Sequence, residues 1–95
     1  MKHVILVKWN GLVYDKDSIF IEAQRVFDRL LSIGGINGVK IHKNVIDRPN
    51  RYDLMIEIEM KKEILTVYDE SEPHKEWKQK FGKFVENKAI FDFED

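Results

Sequence analysis

Hydrophobic and polar residues alternate most regularly over residues 52–60, where every second position is apolar. The apolar set is Tyr52, Leu54, Ile56, Ile58 and Met60, and the intervening set is Asp53, Met55, Glu57 and Glu59. A period of two places successive side chains on opposite faces of a β-strand. The segment therefore predicts a strand with one dry face and one partly wet face.

A second strand, Lys2–Trp9, is apolar in both of its alternating sets. One set is His3, Ile5, Val7 and Trp9, and the other contains Val4 and Leu6. Such a strand is typical of the middle of a sheet that is covered on both sides. Two shorter strands are predicted at Val39 to about Ile46 and at Ala89–Glu94.

Three segments instead carry apolar residues at steps of three and four, the period of an amphipathic helix. The first begins near the candidate caps Asp15, Asp17 and Ser18 and runs to about Ile33, where Gly34-Gly35 is expected to end it. The second is a short helix over Lys61–Glu70. The third starts at Ser71-Glu72-Pro73, with proline in the first turn, and carries one apolar face: His74, Trp77, Phe81, Phe84 and Val85.

The order strand, helix, strand, strand, helices, strand predicts an α+β, ferredoxin-like βαββαβ sandwich, with helices on one face of a four-stranded antiparallel sheet. Residues 1–95 then form a single domain. The opposite face of the sheet has no element left to cover it, although Val4 and Leu6 point there. We therefore expect a homodimer with the two sheets face to face, in which Asp53, Glu57 and Glu59 make the interface mixed.

Composition excludes several classes of protein. The chain has 95 residues, 43% hydrophobic and 35% charged, as in a globular domain. A net charge of −1 without a basic cluster argues against nucleic acid as a partner. The absence of cysteine excludes disulfides and thiolate chemistry. Apolar runs are too short for a membrane span, and no signal-peptide pattern is seen, so a cytoplasmic protein is expected.

Two histidines are candidates for chemistry. His3 opens an apolar strand, and His74 lies in the first turn of the third helix, whose dipole favours a neutral ring. Since the unperturbed pKa of histidine is about 6.5, either ring can act as a base near neutral pH. The alternative is that His3, at the end of a strand, forms a hydrogen bond with the backbone and that His74 is half-exposed and has no functional role.

Four short motifs together resemble the stress-responsive dimeric α/β-barrel (Dabb) family. They are Lys2-His3-Val4, Arg51-Tyr52-Asp53-Leu54, His74, and Phe91-Asp92-Phe93. The resemblance implies ferredoxin-like monomers that pair into a barrel. The family often writes the turn before the third helix as His-Pro-x-His, whereas this chain has Ser71-Glu72-Pro73-His74, which puts the shape of the pocket in question.

The resemblance also implies a function. The first expectation is a stress-responsive protein that binds a small apolar or ketide-like molecule in a pocket within the monomer. The alternative is a cofactor-free, polyketide-cyclase-like lyase, with His74 as base, His3 as its partner and Tyr68 as an orienting donor. A third is a haem- or oxygen-dependent monooxygenase of the same superfamily.

The expected lining of that pocket is apolar, and neither a metal nor a cofactor is predicted. The candidate substrate-binding residues are Ile5, Val7, Phe27, Trp77 and Phe81. For the three aromatic residues a place in the hydrophobic core is the simpler interpretation. Asp92, Glu94 and Asp95 are expected to form a solvated acidic end.

Overall fold

The computed structural model describes residues 1–95, a four-stranded antiparallel sheet with three helices on one face. The strands are β1 (Lys2–Trp9), β2 (Ile36–Lys43), β3 (Leu54–Met60) and β4 (Val85–Phe93). The helices are α1 (Lys16–Asp28), α2 (Leu65–Asp69) and α3 (Glu72–Phe81). The strand order β2-β3-β1-β4 places β1 inside the sheet and confirms the predicted ferredoxin-like α+β fold.

The hydrophobic core lies between the sheet and the helices. Strand β1 contributes Ile5, Val7 and Trp9, all at most 5% exposed, as its alternating pattern predicts. Strand β3 contributes every second residue from Leu54 to Met60. The helices add Ala23, Val26, Phe27, Tyr68, Trp77 and Phe81. None of the helices has the length and apolar content needed to cross a membrane.

Side-chain caps fix the starts of α1 and α3. The Asp15 carboxylate accepts hydrogen bonds from the backbone N–H groups of Asp17 and Ser18, both at 3.1 Å. The Ser71 hydroxyl accepts one from the His74 N–H at 3.3 Å, and proline occupies the first turn of α3. Both caps satisfy N–H groups that have no partner within the helix.

The ends of the elements differ from the predicted ones. Helix α1 stops at Asp28 and continues as a 3₁₀ turn over Arg29–Ser32, so it does not run to Ile33. Helix α3 stops at Phe81, and β4 begins at Val85, four residues before the predicted start. Val85 pairs with Trp9 across a bulge, a tertiary contact that local periodicity does not report.

Gly35, predicted to end the first helix, instead joins the 3₁₀ turn to β2. Its φ of +93° is one that L side chains rarely adopt. A Cβ atom there would lie 2.4 Å from Cγ1 of Ile64. Glycine is therefore required at this position for both its conformation and its close contact.

Asp53 departs from the alternation of the strand that follows it. Its N–H donates to the Val7 carbonyl at 2.8 Å, and its carboxylate accepts from the Trp9 N–H at 2.8 Å and from Lys16 of α1 at 2.9 Å. The prediction that Asp53 shares the open face of the sheet with Glu57 and Glu59 is therefore wrong. A bend before β3 turns the side chain toward α1.

Candidate functional site

His3 is a buried polar residue, 5% exposed, on the helix side of β1. It lies opposite Asp92 of β4, and its Nδ1 forms a hydrogen bond with the Asp92 carboxylate. Because a carboxylate only accepts, Nδ1 carries the hydrogen and Nε2 of the neutral ring is an acceptor. The partner is a side chain, so the backbone-bonded alternative for His3 is wrong.

Tyr68 of α2 lies between the two histidine rings. Its ring centroid is 5.2 Å from that of His3 and 4.7 Å from that of His74. The residue is 1% exposed, and its buried hydroxyl has no hydrogen-bond partner in the protein. Burial raises the pKa of Tyr68 above its ordinary value, so the hydroxyl stays protonated and can donate.

His74 lies in the first turn of α3, where the sequence pattern places it. Its Nδ1 donates to the Asp69 carbonyl at 2.8 Å, which leaves Nε2 as the acceptor of the neutral ring. Burial lowers the pKa of His74, and the charges of Lys78 and Lys88 add to this effect. These two effects outweigh the hydrogen bond to Asp69, which raises the pKa, and they favour a neutral ring.

His3, Tyr68, His74 and Asp92 are called the histidine cluster below. Its members come from β1, α2, α3 and β4, and the fold brings all three predicted catalytic residues together. The cluster offers one buried hydroxyl donor and two imidazole acceptors, one of which has a carboxylate behind it. Chemically, this set combines one donor suited to a carbonyl oxygen with two proton acceptors, but none of the principal cavities is lined by its members.

Asp92 is the member of the cluster that sequence reasoning missed. It was predicted to belong to a solvated acidic end, and its side chain is 39% exposed. The alternation along β4 could have indicated the position of Asp92, because Phe91 and Phe93 share one face of the strand and Asp92 must therefore lie on the other. Pairing of β1 with β4, as the ferredoxin-like topology requires, then sets Asp92 opposite His3.

The five predicted substrate-binding residues all lie in the hydrophobic core: Ile5, Val7, Phe27, Trp77 and Phe81. The Trp77 ring is 5.1 Å from that of Phe27 and 5.0 Å from that of Phe81, centroid to centroid. The principal cavities of the molecule are lined by other residues. The largest, about 520 Å³, lies at the other end of β1.

Comparisons with known proteins bear on the fold of the chain. No family model matches the sequence, and no curated relative does. A dimeric ferredoxin-like protein of unknown function from Bacteroides fragilis superposes with a TM-score of 0.83 at 17% identity, over 99% of this chain and 94% of its own. A Dabb family protein from Mesorhizobium loti gives 0.73 at 13% identity, over 99% and 94%. A hydroxynitrile lyase from Passiflora edulis gives 0.72 at 11% identity, over 97% and 89%.

The fold is that of these dimeric ferredoxin-like proteins. The expected likeness to the Dabb family is thus confirmed for the fold, since identities below 20% carry no more than that.

The face of the sheet away from the helices, the outer face, has an apolar half and a charged half. In the apolar half, Phe91 is 68% exposed, with its ring centroid 6.3 Å from that of Phe93. It lies opposite Val4, next to Leu6. The charged half includes His42, whose Nε2 is 3.4 Å from the Glu57 carboxylate. An exposed phenylalanine surrounded by partly exposed apolar side chains is typical of an interaction surface.

Proposed function

We propose that residues 1–95 form one Dabb-like domain that assembles as a homodimer and binds a small carbonyl-containing, ketide-like molecule at the histidine cluster. The observation that carries this proposal is the buried hydroxyl of Tyr68, which has no partner in the protein. A buried donor without a hydrogen bond costs about 1–3 kcal/mol. A carbonyl oxygen bound there offsets that cost.

The class of ligand follows from the donors and acceptors of the cluster. Tyr68 donates to an oxygen, while Nε2 of His3 or His74 accepts from a hydroxyl group or an acidic C–H. A β-dicarbonyl compound carries both features within a few bonds. Among the predicted lining residues, Ile5 follows His3 on the same face of β1, and Trp77 lies one turn after His74. Both side chains are buried in the free protein, at 3% and 4% exposed, so an apolar body of the ligand would contact them only after neighbouring side chains move apart.

The homodimer is proposed from the outer face of the sheet. Phe91, Val4 and Leu6 are apolar and remain accessible in the monomer. A second copy placed face to face would cover them, and the structures from Bacteroides fragilis and Thermobifida fusca are described as dimeric. Such a pair of sheets forms the barrel implied by the family resemblance.

Binding can be tested with benzoylacetone, an apolar β-diketone, in an NMR titration of the histidine ring protons. We expect shifts for His3 and His74, and binding at least tenfold weaker in Tyr68→Phe, because loss of a buried hydrogen bond costs about 1.5 kcal/mol. Tyr14→Phe is the matched control, since Tyr14 is 91% exposed and remote from the cluster in the sequence.

Two outcomes would count against this function. The first is benzoylacetone binding that Tyr68→Phe leaves unchanged. The second is a Soret shift on addition of haemin that His74→Gln abolishes, which would favour the monooxygenase alternative.

The second candidate function is a cofactor-free lyase, and the pairing of His3 with Asp92 favours it. A carboxylate behind an imidazole orients the ring and stabilises the imidazolium that forms when it accepts a proton. His74 has a backbone carbonyl in that position, so we assign the base to His3 and a supporting role to His74. The fold is shared with a protein described as a hydroxynitrile lyase.

In an aldol closure, Nε2 of His3 removes a proton from a carbon next to a carbonyl group. Tyr68 donates to the enolate oxygen as its charge develops. The enolate carbon then forms a bond with a second carbonyl carbon of the same molecule. The resulting alkoxide takes back the proton from the imidazolium, so the enzyme returns to its starting state.

The proton-removal step can be measured without the natural substrate. Exchange of the methyl protons of acetophenone in D₂O, followed by NMR, should be accelerated by the protein and lost in His3→Gln. Asp92→Asn should lower the rate about 100-fold or more if the carboxylate sets the tautomer of His3. His42→Gln, a histidine on the outer face, is the control. Exchange that survives His3→Gln would refute the lyase assignment while leaving ligand binding intact.

A further inference from the structure

A groove of about 520 Å³ lies at the opposite end of β1 from the histidine cluster. It is bounded by the last residues of β1, the first turn of α1 and the segment 43–54. Trp9, one of its lining residues, is six residues along β1 from His3, which corresponds to roughly 20 Å at about 3.3 Å per residue. The groove and the cluster are therefore separate sites.

The groove is positively charged, although the chain as a whole carries −1. Its lining contains five basic residues, which come from four separate parts of the chain, and three acidic residues. The basic set is Lys8, Lys16, Lys43, Arg48 and Arg51, and the acidic set is Asp17, Asp47 and Asp53. Cations gathered from distant segments raise the local concentration of anions.

Three of the five cations already have a partner. Lys16 pairs with Asp53 at 2.9 Å, and Lys43 pairs with Asp17. The Lys8 ammonium donates to the Pro49 carbonyl at 2.6 Å, which ties the loop between β2 and β3 to β1. The Lys8 ammonium also lies 3.8 Å from the Glu86 carboxylate of β4. These contacts link the segments that line the groove to one another.

Two guanidinium groups remain without a carboxylate. Arg48 makes no ion pair within 4.0 Å, and Arg51 bonds only the side-chain oxygen of Asn50, at 2.8 Å. A guanidinium group presents paired N–H donors that match a carboxylate or a phosphate. The amino end of α1 plays no part, because the Asp15 side chain already caps it.

The inner part of the groove is apolar. Trp9 and Leu54 are 5% and 2% exposed, and the half-buried Phe20 lies beside them. We infer that this groove binds a small organic anion, with a carboxylate or phosphate on Arg48 and Arg51 and an aromatic or aliphatic body toward Phe20 and Trp9. This site is independent of the proposed function of the histidine cluster.

Asp47 allows a second test of the same site, in which the expected change in affinity has the opposite sign. It lines the groove next to Arg48 and has no cation within 4.0 Å, so its charge opposes a bound anion. Removing that charge should tighten binding, whereas removing the guanidinium groups should weaken it. A nonspecific electrostatic effect of net charge alone cannot depend on which cation is removed.

The experiment is an NMR titration of the backbone amides with benzoate and with phenyl phosphate. We expect shifts at Trp9 and Leu54, and binding weakened about tenfold or more in the double variant Arg48→Gln/Arg51→Gln, since both sets of charged N–H donors to the anion are lost. The control Lys61→Gln/Lys62→Gln removes the same charge from an exposed turn outside the groove. Asp47→Asn should bind about threefold more tightly, as expected for an exposed charge pair.

Several results would overturn the inference. Benzyl alcohol binding as tightly as benzoate would show that the anion is not recognised. Inorganic phosphate that binds as tightly as phenyl phosphate would show that the apolar part of the ligand is not recognised. Equal weakening by the two double variants would reduce the effect to net charge. Conversely, benzoate binding that His3→Gln leaves unchanged would separate this site from the histidine cluster, and the tighter of the two probes identifies the preferred anion.

Discussion

The two faces of β1 differ in what covers them. On the inner face, His3, Ile5 and Val7 are covered by helices of the same chain and are at most 5% exposed. On the outer face, Val4 and Leu6 are only partly buried, and the neighbouring Phe91 is largely exposed. The two sets of residues in this one strand thus have different roles. Its inner residues determine folding of the chain, and its outer residues indicate association with a second copy.

The largest expected effect is on the inner face. Ile56 is fully buried in β3, so Ile56→Ala should lower the free energy of unfolding by about 2–5 kcal/mol through lost burial and a cavity. Urea denaturation at several protein concentrations measures this. Leu6→Ala is the outer-face counterpart, and its effect should grow with protein concentration, because it weakens a dimer. If Leu6→Ala lowered the free energy of unfolding equally at every protein concentration, the outer face would contribute to folding of the monomer in the same way as the inner face.

The next effect is on the outer face. Phe91→Asp places a charge at the centre of the apolar half and should weaken dimerisation by at least about 2 kcal/mol, as for a central interface residue. Sedimentation should then show a folded monomer with an unchanged circular dichroism spectrum. Tyr14→Asp, at another exposed aromatic residue, should leave the dimer intact. A wild-type protein that sediments as a monomer would refute the dimer itself.

Much of the fold could be predicted because alternation is a local signal. The inner and outer sets of β1 and the apolar stripe of α3 follow from residue spacing alone. The ends of α1 and β4 could not, since Val85 becomes a strand residue only through its pairing with Trp9. Likewise, Asp53 leaves its predicted face because Lys16 and the Trp9 N–H bind its carboxylate.

The candidate site also has one part that could be predicted from the sequence and one part that could not. The family resemblance pointed to His3, Tyr68 and His74, and the fold places their rings next to one another. The partners that set their chemistry come from elsewhere in the chain, as Asp92 does for His3. The groove has no single sequence pattern, since Arg48 and Arg51 lie in one loop and its lysines come from three other segments of the chain. The roles of the cluster and the cytoplasmic location stay predictions.

A smaller effect is expected from Tyr68 on the inner side. Tyr68→Phe keeps the packed ring and removes a buried hydroxyl that has no partner, so it should stabilise the protein by about 1 kcal/mol in the absence of ligand. Thermal denaturation with and without benzoylacetone measures this, with Tyr14→Phe as control. A loss of stability in Tyr68→Phe would mean that the hydroxyl has a hydrogen-bond partner within the protein, so that it needs no ligand.

The smallest effect concerns pH and again separates the inner side from the outer face. Because burial lowers the pKa of His74 in the folded chain, the unfolded chain binds more protons between that lowered pKa and about 6.5. Stability contributed by the neutral ring is therefore complete above about pH 6.5 and is lost as the pH falls toward the folded pKa. Urea denaturation from pH 7.5 to 5 should show this loss in the wild type and a shallower slope in His74→Gln. His42→Gln, which removes a half-exposed histidine on the outer face, is the control. A slope that His74→Gln leaves unchanged would show that His74 does not cause this loss of stability.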